Sequence, residues 1–300
     1  MDGGTPEKQS HAVLQALITR MGRNTDTRLA TSFLSIVASI HDLIAALRPT
    51  SAELRAVTDF LTEVGHTADA RRQEWVLLGD VIGVSTHVED LNCPRPVGAT
   101  PNTLTGPFYR DAVPDLANGA NLSRDGIGDP MQVRLQLADL AGNPVPLALV
   151  EVWHANASGR YENQDPDFQP EFNLRGRLRA GVDGTVHFKT VKPHGYNLPE
   201  DGPVGRLLTA LGLKLERPAH LHFRVSAPGF ETLNTHIFDR HDTAINHDAL
   251  FGVRPELLAD FRDNSPIGGL PQYALDLRFV LVPDDRHGTT QTQPMPRKEN

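Results

Sequence analysis

One cysteine, Cys93, in 300 residues excludes an internal disulfide and any zinc site built on several thiolates, and it fits a reducing compartment. Positive charge is also scarce. Against 37 Asp and Glu there are 29 Lys and Arg, a net charge of −8, and no basic cluster of the kind a nucleic-acid or polybasic membrane surface needs. The first residues are polar and charged, with no apolar run of signal-peptide or transmembrane type, so a cytoplasmic protein without a membrane partner is expected. No Gly-rich dinucleotide fingerprint, phosphate loop or Gly-x-Ser-x-Gly elbow is present, so no NAD, flavin, haem or ATP chemistry is expected. Tyrosine is sparse too: there are only four, Tyr109, Tyr161, Tyr196 and Tyr273, and the setting of each is informative.

What the chain does have is a strand with ligands on it. In Arg217-Pro218-Ala219-His220-Leu221-His222-Phe223-Arg224-Val225, Leu221, Phe223 and Val225 alternate with His220, His222 and Arg224, the period of a half-buried strand. Both imidazoles leave the same side. Two nitrogen donors two residues apart on a rigid strand form a preformed bite for a metal ion, although a lone His-x-His is as often two polar residues on a solvated face.

Residues 7–92 read as helical, with apolar residues from Leu29 to Leu47 at three- and four-residue steps and Pro49 as a stop. Thr50 and Glu53 predict a capping box, and a further helix is predicted over residues 71–90. Helices this apolar must pack on the following domain or on a second copy of themselves. At Cys93-Pro94-Arg95-Pro96 the character changes to short alternating runs rich in Gly and Pro. Strands are expected over residues 132–138, 145–154, 218–226, 231–238 and 274–282, with a hairpin at Val182-Asp183-Gly184. The expected fold is mainly β with α: an antiparallel β-sandwich catalytic domain at residues 99–283, preceded by a helical dimerisation domain at 1–98 and followed by a disordered tail from 284 to 300.

Two tyrosines occupy loops that look like site loops. Tyr161 follows Trp153-His154-Ala155-Asn156-Ala157-Ser158-Gly159-Arg160, and Tyr196 sits in the Pro/Gly-bracketed Lys192-Pro193-His194-Gly195-Tyr196-Asn197-Leu198-Pro199. Phenolates are hard anionic donors that, with two imidazoles, suit Fe(III) better than Zn(II) or Cu(I). Singly, each tyrosine reads as a packing residue.

Gly106-Pro107-Phe108-Tyr109, Glu151-Val152-Trp153-His154-Ala155-Asn156, Phe172-Asn173-Leu174-Arg175-Gly176, Gly195-Tyr196 and Arg217-Pro218-Ala219-His220-Leu221-His222 resemble, in order and spacing, the intradiol ring-cleavage dioxygenases. Leu77-Leu78-Gly79-Asp80, Asp201-Gly202-Pro203-Val204-Gly205 and Phe251-Gly252-Val253-Arg254-Pro255 look most like the hydroxyquinol 1,2-dioxygenase branch, with catechol 1,2-dioxygenase, which gives cis,cis-muconate, as the alternative. The resemblance implies one Fe(III) per subunit, held by Tyr161, Tyr196, His220 and His222. It also implies cleavage by O2 between adjacent hydroxylated carbons, giving maleylacetate from hydroxyquinol. Arg217 would steady developing negative charge, an effect worth about 3–4 kcal/mol per donor. Leu77, Asp80, Leu104, Thr105, Gly106, Pro107, Phe108, Leu198 and Pro199 would line the ring pocket. His236 stands where catechol enzymes commonly carry glutamine, and it is counted with Arg217 and Tyr196 among the catalytic residues. The family also implies a homodimer through the amino-terminal helices, with a phospholipid between subunits ranked below the dimer itself.

Two other classes stay open on the residues alone. A cupin-like metal hydrolase follows its His-x-His with a nearby glutamate, but Phe223 to Gly229 contain no acid. A non-catalytic β-sandwich binding module would not need the ligand set. A second cluster, His236, His241, Asp242 and His247, offers a separate metal site or a solvated loop.

Overall fold

The computed structural model describes residues 6–21, 26–69, 72–266, 269 and 272–284. Apart from Asp284, the expected disordered tail lies outside them. The chain divides into two compact units, Met1–His66 and Thr67–Asn300. The first holds α1 (Pro6–Arg20), α2 (Thr27–Leu47) and nearly all of α3 (Ser51–Thr67). Asp26 accepts the Leu29 N–H at 2.7 Å to start α2, and Arg48, at φ 48°, closes it before Pro49. The capping box forms as expected: Thr50 N–H donates to Glu53 Oε2 at 2.7 Å, and Glu53 N–H to Thr50 Oγ1 at 3.2 Å. Leu29, Phe33, Ile36, Ile40, Leu43 and Leu47 are exposed on α2. This 21-residue helix, with a mean hydropathy of 1.6 over its most apolar 18-residue window, is by length and composition apolar enough to cross a membrane. The match is one of length and composition alone, and it starts at Thr27, beyond the polar opening residues.

The second unit opens with α4 (Glu74–Val81) and α5 (Val84–Asn92). One helix was expected here; Gly83, at φ 73°, breaks it, because only glycine turns into the left-handed region without cost. After β1 (Asp115–Leu116), β2 (Pro130–Asp139), β3 (Leu149–His154), β4 (Arg175–Arg179), β5 (Thr185–Val191) and β6 (Tyr196–Asn197) come α6 (Pro203–Ala210), β7 (Glu216–Arg217), β8 (His220–Ser226), β9 (Leu233–Asp239), β10 (Leu258–Ala259), β11 (Arg262–Asp263) and β12 (Tyr273–Leu281). One sheet has the order β1-β4-β3-β8-β9-β10 and the other β11-β12-β2-β5, while β6 and β7 form a separate ribbon.

The two sheets enclose one core. Leu221, Phe223 and Val225 from β8 and Val150 and Val152 from β3 meet Val133, Leu135 and Leu137 from β2 and Leu275 and Phe279 from β12. Phe223 and Phe279 touch edge to face, with centroids 5.1 Å apart. The sandwich is therefore present, but its pairing is mixed: β2 and β12 run parallel over nine positions. Alternation specifies which face is buried, not which neighbour runs alongside. The same limit explains the missing hairpin. Asp183 and Gly184 make a tight turn, with Asp183 accepting the Thr185 N–H at 3.0 Å, yet β4 joins one sheet and β5 the other.

Candidate metal and ring-binding site

The alternation of β8 builds the site. With Leu221 and Phe223 in the core, His220 and His222 emerge on the opposite face, and both are buried. Sheet register places His222 directly between Trp153 on β3 and His236 on β9. The Trp153 ring stacks on His222 at 4.8 Å and 15°, and the His236 ring lies 4.1 Å from it at 67°. His220 Nδ1–H donates to the Pro218 carbonyl at 2.7 Å, which fixes the tautomer and leaves the lone pair on Nε2, where Arg217 Nη1 reaches it at 3.4 Å. One ring nitrogen from each of His220, His222 and His236 lies within 4.8 Å of the others.

Two loops bring the tyrosines over this cluster. Tyr161 begins a 3-10 turn, in which its N–H donates to Gln164 Oε1 at 3.0 Å, and its hydroxyl donates to His222 Nε2 at 3.0 Å. Phe108 stacks on the Tyr161 ring at 4.4 Å, and Arg175, buried in an ion pair with Glu162 at 2.6 Å, lies over it 5.7 Å from its centroid. Tyr196, on β6 opposite Arg217 of β7, meets Tyr161 edge to face at 6.0 Å and His220 at 5.7 Å. Gly159 permits this meeting: a Cβ there would lie 2.7 Å from the Gly195 carbonyl and 2.8 Å from Tyr196 Cβ.

Burial sets the protonation states. Desolvation, with the Arg217 charge beside it, pushes His220 down to about 3. His222 and His236 are held well below the usual imidazole range by burial first, and then by the crowding of the other imidazoles for His222 and by the Arg217 charge for His236. All three are therefore neutral at pH 7, with lone pairs available. Burial and Tyr196 push the Tyr161 phenol well above its usual value, so a cation is needed to make it a phenolate. His222 Nδ1 and both nitrogens of His236 are buried without a hydrogen-bond partner, a costly arrangement for a site with only structural duty.

Arg217 is buried and pairs with Asp248 at 3.0 Å, while Asp248 is itself held by the Gly252 N–H at 2.8 Å. Burial opposes the Arg217 charge, but Asp248 and Tyr196 more than offset it and hold the guanidinium above its usual range. Beside this group opens a cleft of about 880 Å³, lined by Leu77, Asp80, Pro107, Phe108, Leu198 and Pro199 with Tyr196, Arg217 and His222. Leu104 and Gly106 instead line a small adjoining cavity with His236 and Asp80. Thr105, also expected in the ring pocket, lines neither. Asp80 is nearly buried, which pushes its carboxyl up; Ser85 and Arg217 pull the other way.

The second cluster does not assemble. His241 is exposed beside Asp260, His247 lies 3.5 Å from Glu216, and Asp242 accepts the Ala219 N–H at 2.8 Å, which steadies the backbone before His220. His236 alone of that set joins the site. Sequence reasoning assigned no role to Trp153, Arg175 or Asp248. Trp153 and Arg175 stand inside quoted motifs, but only register and packing aim them; Asp248 carried no signal.

A two-sheet scaffold that gathers three neutral imidazoles and two phenols beside a cleft, with His222 and Tyr196 on its lining, is suited to a metal-dependent enzyme acting on a small flat molecule. A family model described as Dioxygenase matches residues 104–284, and one described as Catechol dioxygenase N terminus matches residues 26–100. The chain belongs to the intradiol ring-cleavage dioxygenase family. It is 43% identical to the hydroxyquinol 1,2-dioxygenase of Rhizobium sp. (strain MTP-10005) over 87% of this chain and 88% of the relative. It is 39% identical to the 6-chlorohydroxyquinol 1,2-dioxygenase of Cupriavidus pinatubonensis over 92% and 99%. Among solved structures, the hydroxyquinol 1,2-dioxygenase of Pseudomonas putida DLL-E4 superposes with a TM-score of 0.87 at 33% identity, covering 93% of this chain and all of that one. Catechol 1,2-dioxygenase of Acinetobacter radioresistens does so at 0.81 and 25%, covering 99% of each chain.

Proposed function

We propose that this chain is an Fe(III) dioxygenase that cleaves hydroxyquinol, benzene-1,2,4-triol, between its adjacent hydroxylated carbons to give maleylacetate. The observation that carries the reading is the convergence of Tyr161, Tyr196, His220 and His222 beside the cleft, Tyr196 meeting both Tyr161 and His220 ring to ring and the Tyr161 hydroxyl reaching His222 Nε2 at 3.0 Å. These residues fit the ion: two neutral imidazoles and two potential phenolates form a hard, dianionic donor set. When bound, Fe(III) supplies the Lewis acidity that ionises the phenols and gathers the two diol oxygens.

The chain's own groups do the rest. Tyr196, half-buried on a two-residue strand at the cleft, would take a substrate proton on its phenolate oxygen, the phenol having been ionised by the bound ion. Arg217, locked by Asp248, presents a fixed positive charge to the developing anion and costs no reorganisation when charge builds up. Phe108, Leu77 and Leu198 hold the ring and exclude water from it. Asp80 accepts a hydrogen bond from the third hydroxyl, and this favours the triol over catechol as substrate. The exposed apolar stripe of α2 supports assembly as a homodimer, with a phospholipid as a further candidate occupant of that surface.

The test is the visible spectrum of the iron-loaded protein before and after anaerobic addition of hydroxyquinol and, separately, catechol, followed by oxygen uptake. A broad phenolate-to-iron band that hydroxyquinol shifts, with faster turnover of the triol, is expected. A protein that stays colourless after iron reconstitution refutes the assignment, and faster turnover of catechol replaces the substrate.

A further inference from the structure

One carboxylate on the lining of the cleft ties its two walls together. Glu74, the first residue of α4, is fully buried. Its Oε1 accepts the Val204 N–H at 3.1 Å, and its Oε2 accepts Arg72 Nε–H at 2.8 Å. Val204 is in the first turn of α6, whose own N-cap, Gly202, has no side chain to offer. Glu74 thus caps a helix to which it does not belong, where a negative charge meets both an orphan N–H and the positive end of the helix dipole. No space is left over: a Cβ on Gly202 would run into Glu74 and Arg72.

Each helix delivers one wall of the cleft. One turn beyond Glu74, α4 presents Leu77, and then Asp80. On the other side, Gly205 of α6 packs so closely on the preceding loop that a Cβ there would lie 2.5 Å from the Pro199 carbonyl. Leu198 and Pro199 form the opposite wall and continue directly from Tyr196. A shift of α6 must therefore move Pro199, because packed elements transmit displacement rather than absorb it.

We propose that Glu74 is a positioning residue: by clasping the start of α6 to the start of α4, it sets the separation of the two cleft walls and hence the affinity for the ring substrate. The proposal rests on the ring-cleavage function proposed above. Glu74 lines the cleft, but both its oxygens are engaged by Val204 and Arg72 and neither by an iron ligand, so its loss acts on recognition before chemistry.

Glu74→Gln keeps the volume but removes the charge and turns an N–H donor toward Arg72 or Val204. For this variant the KM for hydroxyquinol rises roughly tenfold, as loss of a hydrogen bond to a charged group implies, while kcat stays within about threefold. Amide exchange accelerates together in the peptides covering Leu77–Asp80 and Val204–Ala210, and the phenolate-to-iron band persists. Gly202→Ala, which wedges the same joint, gives the same pair of effects and replaces Glu74→Gln should that variant fail to fold. Asp201→Asn, which removes only the exposed partner of Arg72, changes KM less than about twofold. An unchanged KM in an active Glu74→Gln or Gly202→Ala enzyme overturns the proposal, whether or not the melting temperature falls. Wild-type protein that turns over no diol refutes the function instead; the joint is then judged by exchange, and acceleration in only one of the two peptides overturns it.

Discussion

Two buried polar groups lie on the same face of the same sheet, a short step apart along β3 and β8, and they are built in opposite ways. At Trp153 and His222 the cluster is open: His222 Nδ1, both nitrogens of His236 and Trp153 Nε1 are buried with no partner. At Glu151 and Arg224 it is closed. Glu151 is buried, but its carboxylate accepts from Arg177 at 2.8 Å, from Arg224 at 2.9 Å and from the Tyr109 hydroxyl at 3.3 Å. Desolvation cost falls on both, and only the closed cluster recovers it internally. An unsatisfied cluster persists where an outside group completes it, so the open one is where a ligand belongs and the closed one is where the sheet is held.

The largest effects come from crossing the two. His222→Phe keeps the stack on Trp153 but removes the donors; iron affinity falls by about 100-fold or more, with the metal-free melting temperature held or raised. Glu151→Gln strands two arginines, both able to reach water, and costs about 1–3 kcal/mol, a drop of roughly 3–8 °C, while activity per folded molecule is retained. Iron analysis and thermal melts on both variants decide it. The distinction between the clusters fails if His222→Phe unfolds the protein and Glu151→Gln loses the iron.

Arg217 stands between the two kinds, closed toward Asp248 and open toward the cleft. Arg217→Gln therefore loses on both counts: kcat falls about 100-fold with iron retained, and the stranded Asp248 costs roughly 3 kcal/mol. Unchanged kcat would reduce Arg217 to a structural ion pair.

His154 sharpens the closed side further. Its Nδ1–H donates to the Ala155 carbonyl at 2.8 Å and its Nε2 accepts from Thr190 Oγ1 at 2.7 Å, and burial, opposed by the Ala155 bond and aided by Arg175, pushes it down to about 4. The unfolded chain therefore binds a proton that the folded one refuses once pH falls below about 6.5. This contribution to stability is complete above that value and is lost as pH falls toward 4. Between pH 7.5 and 5 the wild type loses about 2 kcal/mol that His154→Gln does not lose. Parallel losses in the two proteins would show that His154 is not the group responsible.

Much of this was legible in the residues. The alternation of Leu221, Phe223 and Val225 with His220 and His222 fixed which face each occupies, and the sparse tyrosines pointed to the right loops. Thr50 and Glu53 predicted their own cap. What sequence could not carry was register and partnership across distance: that β9 slides His236 opposite His222, that β4 and β5 part into different sheets, and that Asp248 reaches Arg217. These depend on which strands pair, and a period of two is the same for any partner. The break at Gly83 was missed for a different reason, since a glycine inside an apolar helical pattern signals an interruption only when its left-handed φ is seen.

The smallest predicted effect lies at Asp80, a carboxylate on the cleft wall that is neither closed by an ion pair nor offered to the metal cluster. Its carboxyl is pushed up by burial, which the Ser85 hydrogen bond and the Arg217 charge only partly counter, so a further donor would favour its charged form. A third ring hydroxyl would supply one. Asp80→Leu leaves that hydroxyl buried against an apolar side chain, so kcat/KM for hydroxyquinol falls about tenfold, whereas catechol, with no hydroxyl there, is turned over as well or better. The ratio of the two constants isolates the contact from any general damage to the cleft, which would lower both alike. An equal fall for both substrates would return Asp80 to the closed, structural side of the comparison.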